Sequence, residues 1–347
     1  MDLILVVVIA AIVAVLIFDF TNGVHDASNM VATLVASRAM APGQALSLVA
    51  VFTFLGPILG GTAVADTIGG FVDLSHMSTG DAIGIVVSGI AGAISWNLIT
   101  WYFAVPSSSS HALVGGLVGA VLIGANSGDV VWGISALHEH RLVGVTKVLA
   151  TLFFSPLVGF AAGYLVQAAM RWMLRSASPG ANQVLMKAQW VTAALLAFAH
   201  GTNDAQKGMG IITLMLVLGG MLGTFAVPTW VILASASAIT LGTAIGGWRI
   251  VRTVGYGIFR LRPLHGLDAQ LSSASVILGA SLFGGPVSTT HVVSSSIMGI
   301  GAYERPRAVR WNTARDIGLT WLLTLPGSAC LAGVAYALFS IVGHLFR

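Results

Sequence analysis

From residue 3 to residue 343 the chain is built of apolar runs separated by short turns, most of them long enough to cross a bilayer. Crossing ~30 Å of hydrocarbon takes about 20 residues at about 1.5 Å each. Only 8% of the residues are charged, against roughly 25% in soluble domains, and the mean hydropathy is +0.91. A water-soluble fold is excluded, and the composition predicts an all-α polytopic membrane protein with the lipid bilayer as its first partner. The net charge of +4 makes no case for nucleic acid, because Lys and Arg lie in short loops rather than on one basic face. The single cysteine, Cys330, rules out an internal disulfide framework and reads as a small core residue. The first run lacks a basic n-region and a small-residue cleavage site, so it is expected to be a retained helix.

Hydropathy and turn signals divide the chain into about ten spans: 3–37, 45–65, 81–104, 111–125, 147–170, 190–222, 227–247, 266–283, 287–303 and 316–343. Residues 3–37 alone would make a helix of ~50 Å. Polar stretches sit near the middle of that span and of 190–222: "FTNGVHDASNM" at 20–30 and "FAHGTNDAQKGMG" at 198–210. A broken helix is expected at each. Segments 107–125 and 287–303 read either as spans or as re-entrant hairpins.

Counting Lys and Arg orients the chain. With the N-terminus outside, Arg38 and the loops 171–187, 249–262 and 305–315 place twelve basic residues inside. Arg141, Lys147 and Arg347 are the three outside, and Lys207 is left within a span. Both termini are therefore expected outside.

The polar motifs recur. Pairing "FTNGVHDASN" (20–29) with "FAHGTNDAQK" (198–207) matches Phe20 with Phe198, Gly23 with Gly201 and Asp26 with Asp204. Pairing "VPSSSSHALVGGLVG" (105–119) with "GPVSTTHVVSSSIMG" (285–299) matches Pro106 with Pro286 and His111 with His291. Two motifs in the same order, 85 residues apart in one half and 87 in the other, predict two repeats, 1–175 and 176–347. Five spans in each would invert the second repeat relative to the first. Inverted repeats with broken helices are typical of secondary transporters, whose site lies near the bilayer midplane between the repeats.

Ionisable groups at membrane depth cost at least ~2.5–3.5 kcal/mol and usually have a use. Asp26 and Asp204 either cap freed helix amides or gather a cation: Na⁺, a proton or a divalent metal suited to carboxylate oxygen. Asn22, Asn29 and Asn203 offer neutral oxygens and donors beside them. Ser107, Ser108, Ser109 and Ser110 in one half, and Ser288, Thr289 and Thr290 in the other, each precede an apolar run. Hydroxyls and free amides at a helix N-terminus suit an oxyanion such as phosphate or sulfate, though Ser and Thr also serve as ordinary caps. Lys207, which matches Asn29 in the other half, either neutralises the anion or pairs with Asp204. His25, His200, His111 and His291 are candidate proton relays or simple partners of backbone carbonyls. The motifs are nearly duplicated and carry no Glu or Arg cluster, against a membrane-embedded phosphate hydrolase. An anion channel would need a pore lined by fixed positive charge, where only Lys207 qualifies.

These stretches, with "WNLITWYFAVPSSSSHALVG" and the tail "WLLTLPGSACLAG", resemble the inorganic phosphate transporter (PiT) family of secondary carriers over nearly the whole chain. The likeness is greatest to the bacterial low-affinity Pit-type permeases. The resemblance implies symport of phosphate with H⁺ or Na⁺, in some members as a metal–phosphate complex, with no cofactor beyond those ions. It implies an inner (plasma) membrane protein and a homodimer. It also implies that Asp26, Asn29, Asn203, Asp204, Ser109, Ser110, Thr289 and Thr290 lie near ions and substrate. "GTND" stands where the family usually has Ala before Asn, and the 171–189 loop is short where many relatives carry an insertion. A sub-branch moves sulfate, which leaves sulfate permease as the alternative within the family.

Overall fold

The computed structural model describes residues 3–345 and is all-helical. The helices of the first half are α1 (Leu3–Ala36), α2 (Pro42–Leu59), α3 (Ala63–Gly69), α4 (Thr79–Tyr102), α5 (Ser109–Gly124), α6 (Ile134–Leu137) and α7 (Gly144–Met173). Those of the second are α8 (Ala181–Leu218), α9 (Thr229–Ile245), α10 (Trp248–Tyr256), α11 (Pro263–Leu282), α12 (Thr289–Glu304) and α13 (Trp311–Leu345). Among the described residues the sole β pairing is an isolated bridge between Val72 and Val130. Both chain ends, including Arg347, lie outside the described residues.

Among the described residues five helices are long and apolar enough to cross a membrane: Ile4–Ala36, Pro42–Leu59, Thr79–Tyr102, Gly144–Met173 and Trp311–Ile341. Thr229–Ile245 with Trp248–Tyr256, bent by 73°, would make a sixth. The ten expected spans are thus met in part. α5 and α12 are only 16 residues each. α8 and α11 bury His, Asn, Asp, Gln, Lys, Ser and Thr inside the protein, which lowers their hydropathy below that of a lipid-facing helix.

The helix breaks expected at 20–30 and 198–210 are absent. α1 runs unbroken for 34 residues and α8 for 38. Asp26, Asn29, Asn203, Asp204 and Lys207 find partners on neighbouring elements and on their own helix face. These contacts run sideways from a closed backbone ladder, while Asn22, Asn29 Oδ1 and His200 in the same stretches have no hydrogen-bond partner.

The chain breaks instead at the two Pro-containing stretches, and in the same way twice. After α4, the amide of Ala104 donates to Trp101 O (3.1 Å) and that of Val105 to Thr100 O (2.9 Å). After α11, Gly284 donates to Ser281 O (2.9 Å) and Gly285 to Ala280 O (2.8 Å). Both are Schellman caps, which need a left-handed residue: Gly284 has φ +65° and Ala104 φ +57°. Pro106 and Pro286 then bar further helix. Ser108 and Ser288 restart it as N-caps, accepting from the amides of His111 and His291.

The halves pack across each other. α1 lies on α9 while α2 lies on α8, and α5 lies on α13 while α12 lies on α7. A methyl group on Gly23 would strike the Ile239 carbonyl, and one on Gly201 the Thr53 carbonyl. These glycines let the backbones touch where the polar motifs begin. The apolar core is divided in two. One cluster takes Val8 to Phe18 of α1 with Ala205 to Leu216 of α8, and the other takes Met30 to Leu34 with Ala193 to Ala199. α1 and α8 are thus antiparallel, with their polar segments held between two apolar layers. Ile9, Val13 and Ile17 of α1, Leu157 and Leu165 of α7, and Leu322 and Leu338 of α13 stay exposed, as a surface facing lipid tails requires. Cys330 belongs to that outer surface and not to the core, because its position on α13 points away from the helix contacts.

Candidate ion and substrate site

Asp26 and Asp204 are fully buried and meet at the start of α12. Asp26 Oδ1 accepts from Asn29 Nδ2 (3.1 Å) and from Thr290 Oγ1 (2.9 Å). His25 Nδ1 lies 3.0 Å from the same oxygen. Asp26 Oδ2 faces the hydroxyls of Ser109 (3.5 Å) and Thr289 (3.3 Å). Thr289 Oγ1 also lies 3.3 Å from Asp204 Oδ2. One hydroxyl proton can serve only one of these carboxylates at a time, so Thr289 is a two-way bridge between the halves.

Asp204 is held from its own helix. Lys207 Nζ donates to Asp204 Oδ1 (2.7 Å) and to Val287 O (3.3 Å), and His200 Nδ1 lies 3.4 Å from Asp204 Oδ2. Ligand atoms of Asp26, His200 and Asp204 all fall within 4.8 Å of one another, a spacing that a single cation could span. Asn203 fixes the α11–α12 hairpin, donating to Ser281 Oγ (2.8 Å) and Gly285 O (3.1 Å) and accepting from the Val287 amide (3.2 Å). Ser110 Oγ donates to Val287 O (2.9 Å), which ties the start of α5 to the same hairpin. Asn29 Nδ2 reaches Thr290 Oγ1 (2.9 Å) as well.

The remaining candidates lie elsewhere. Ser108 and Ser288 are spent as N-caps, while Ser107 meets His25 Nε2 (3.3 Å) and Thr100 (2.8 Å). His111 and His291 form a ring pair with centroids 4.6 Å apart, and His291 stacks on Trp321 at 3.8 Å. Both line an apolar side cavity of about 600 Å³ together with Phe153, Phe154 and Leu322, away from the carboxylates. Neither amide atom of Asn22 has a protein partner. Three contributors were missed in the sequence. Ser281 is an ordinary hydroxyl until Asn203 reaches it, and nothing local marked it. Gln206, which accepts from the amides of Val64 and Ala65 at the start of α3, stood inside the quoted motif. Gln270 joins Thr33, Thr192 and Gln189 in one buried network, and polar residues at helical spacing along α11 were its signal.

Two short helices begin on this centre. Their first amides have no intrahelical acceptor, and their dipoles present positive ends. Two carboxylates and one ammonium leave a formal deficit of positive charge, so a cation and an oxyanion can share the centre where an oxyanion alone is opposed. Buried charges of this kind, paired across a helical bundle, make this centre the candidate functional site of the chain.

The fold is that of an all-helical membrane transporter. A solved structure described as "The sodium-dependent phosphate transporter" superposes with a TM-score of 0.79 at 24% identity, covering 97% of this chain and 100% of that one. Residues 22–332 match the phosphate transporter family, and the chain belongs to it. Its relatives include a Bacillus subtilis protein described as "Probable low-affinity inorganic phosphate transporter", 41% identical over 346 residues, 99% of this chain and all of that one. A Rhizobium meliloti protein of the same description is 39% identical over 331 residues, 94% of this chain and 95% of that one.

Proposed function

We propose that the chain is a secondary symporter that moves inorganic phosphate together with H⁺ or Na⁺, the anion travelling free or as a metal complex. The observation that carries this reading is the convergence of Asp26 and Asp204 on Thr289 at the start of α12. A monovalent cation between the carboxylates would cancel the negative charge left on the centre. The phosphate oxygens would then be drawn to Lys207, to Ser109, Ser110, Thr289 and Thr290, and to the free amides of α5 and α12. Obligatory coupling follows from charge: neither ion is well received without the other.

The crossed packing supports inverted repeats, since Gly23 on α9 and Gly201 on α2 make the same backbone contact from opposite halves. The twin Schellman hairpins support it again. In this reading ten segments of five per half occupy the bilayer and both termini lie outside. The protein works as a homodimer in the plasma membrane, and one bundle rocks against the other to alternate access. The relatives named above are described for phosphate, and they lend no support to the sulfate alternative. Their descriptions as transporters also weigh against a hydrolase.

The test is uptake of radiolabelled phosphate into proteoliposomes under a Na⁺ gradient or a pH gradient, with and without Mg²⁺ and excess sulfate. Accumulation under one gradient, untouched by sulfate, is the expected result. Accumulation erased by sulfate, or none under either gradient, would overturn the proposal.

A further inference from the structure

Asp19 belongs to none of the motifs above, yet it is fully buried in α1. Neither of its carboxyl oxygens has a hydrogen-bond partner. The carboxyl lies flat against Gly208 of α8, where a side-chain carbon would overlap it. Ser235 of α9 is beside it, and its hydroxyl is also unpartnered. Asn22, one turn along the same face, is unpartnered at both amide atoms. Val15, Phe18, Met209 and Ile212, its neighbours on α1 and α8, belong to the buried apolar cluster.

The repeat gives this group its meaning. Extending the pairing of Asp26 with Asp204 matches Asp19 with Ala197, and it matches Lys207 with Asn29. Within these paired stretches of α1 and α8, two charged side chains break the pairing, and they fall at neighbouring positions: Asp19 rests on Gly208, the residue next to Lys207. At the same offset Gly208 matches Met30, so the space for a carboxylate exists on one side only. An asymmetric carboxylate and an asymmetric ammonium, adjacent across two helices, form a unit that the duplicated centre does not supply.

We propose that Asp19 takes up and releases the coupling proton, and that Lys207 passes its charge state to the anion site. The inference rests on the phosphate symport reading and deepens it. The step is a proton transfer: an O–H bond of hydronium on one side breaks as one forms on a carboxyl oxygen, and that bond breaks in turn as water on the other side takes the proton and the carboxylate is restored. A metal ion would need a shell of several oxygens, whereas a proton needs one. With Asp19 protonated, Lys207 is left to Asp204, the pairing seen at 2.7 Å. With Asp19 ionised, a second negative charge nearby draws on the ammonium and its hold on the centre loosens. The charged groups facing Asp19 are Lys207 and Asp204 of α8. α9 has no titratable side chain, Asp81 of α4 is taken by Ser78 (2.7 Å), and His25 and Asp26 lie further along α1.

The test compares wild type with Asp19→Asn, which keeps the shape, in proteoliposomes. Accumulation of phosphate under a pH gradient should be lost in the variant, while phosphate–phosphate exchange, which moves no net proton, continues. Infrared difference spectra on adding inorganic phosphate should show a protonated-carboxyl band in wild type that Asp19→Asn lacks, and this reading survives a variant too unstable to transport. Undiminished accumulation in the variant, wild-type uptake driven by Na⁺ alone, or an unchanged carboxyl band would each overturn the assignment. A wild type that moves no phosphate at all would instead refute the proposed function.

Discussion

Thr289 and Ser288 are chain neighbours with different work. Ser288 accepts from the His291 amide and begins a helix. Thr289 stands between two carboxylates. Ser288→Ala should therefore lower stability by about 1 kcal/mol, read as a fall in thermal midpoint, with transport largely kept. Thr289→Ala removes a hydrogen bond to a charged group, worth about 1.5–3 kcal/mol. It should cut phosphate uptake by about ten- to a hundredfold, well out of proportion to any fall in thermal midpoint; the reverse pattern would exchange their roles. The sequence separated these neighbours poorly, because a hydroxyl run before a helix looks alike whether it caps or binds. Asp26 and Asp204 stood out at once, as carboxylates in apolar runs must. Asp19 did not, because it precedes the quoted motif and has no twin to draw attention to it.

At the scale of elements, the polar stretches were legible as special but were misread as breaks. A polar run inside a helix is consistent with an opened backbone or with side chains satisfied by neighbours. The deciding partners, such as Thr290 for Asp26, are 264 residues away. The true breaks were marked by Pro106 and Pro286, and their caps carry a testable asymmetry. Ala104 holds the left-handed conformation that Gly284 holds without strain. Ala104→Gly should stabilise the protein by about 1 kcal/mol, and Gly284→Ala should destabilise it while crowding the Ala63 carbonyl. Thermal unfolding of the two variants checks this, and equal shifts of one sign would contradict the matched caps. Gly201→Ala should cost about 1–3 kcal/mol by forcing α8 off α2, again measured by unfolding.

The all-helical class, the membrane setting and the repeat of motifs were readable from the whole chain. How the halves cross was not, since no local signal says that α1 will lie on α9 or α5 on α13. Charge alone suggested which loops face inward. Single cysteines in the 138–141 and 305–310 loops, placed in a Cys330→Ser background, should react with an impermeant reagent from opposite sides. Labelling of both from one side would refute the inverted arrangement.

The central claim is that each half supplies one carboxylate to a single site. Phosphate uptake by Asp26→Asn and by Asp204→Asn, each checked for intact folding, tests it most directly. The account predicts that either substitution alone abolishes uptake. Full transport in either variant would contradict it.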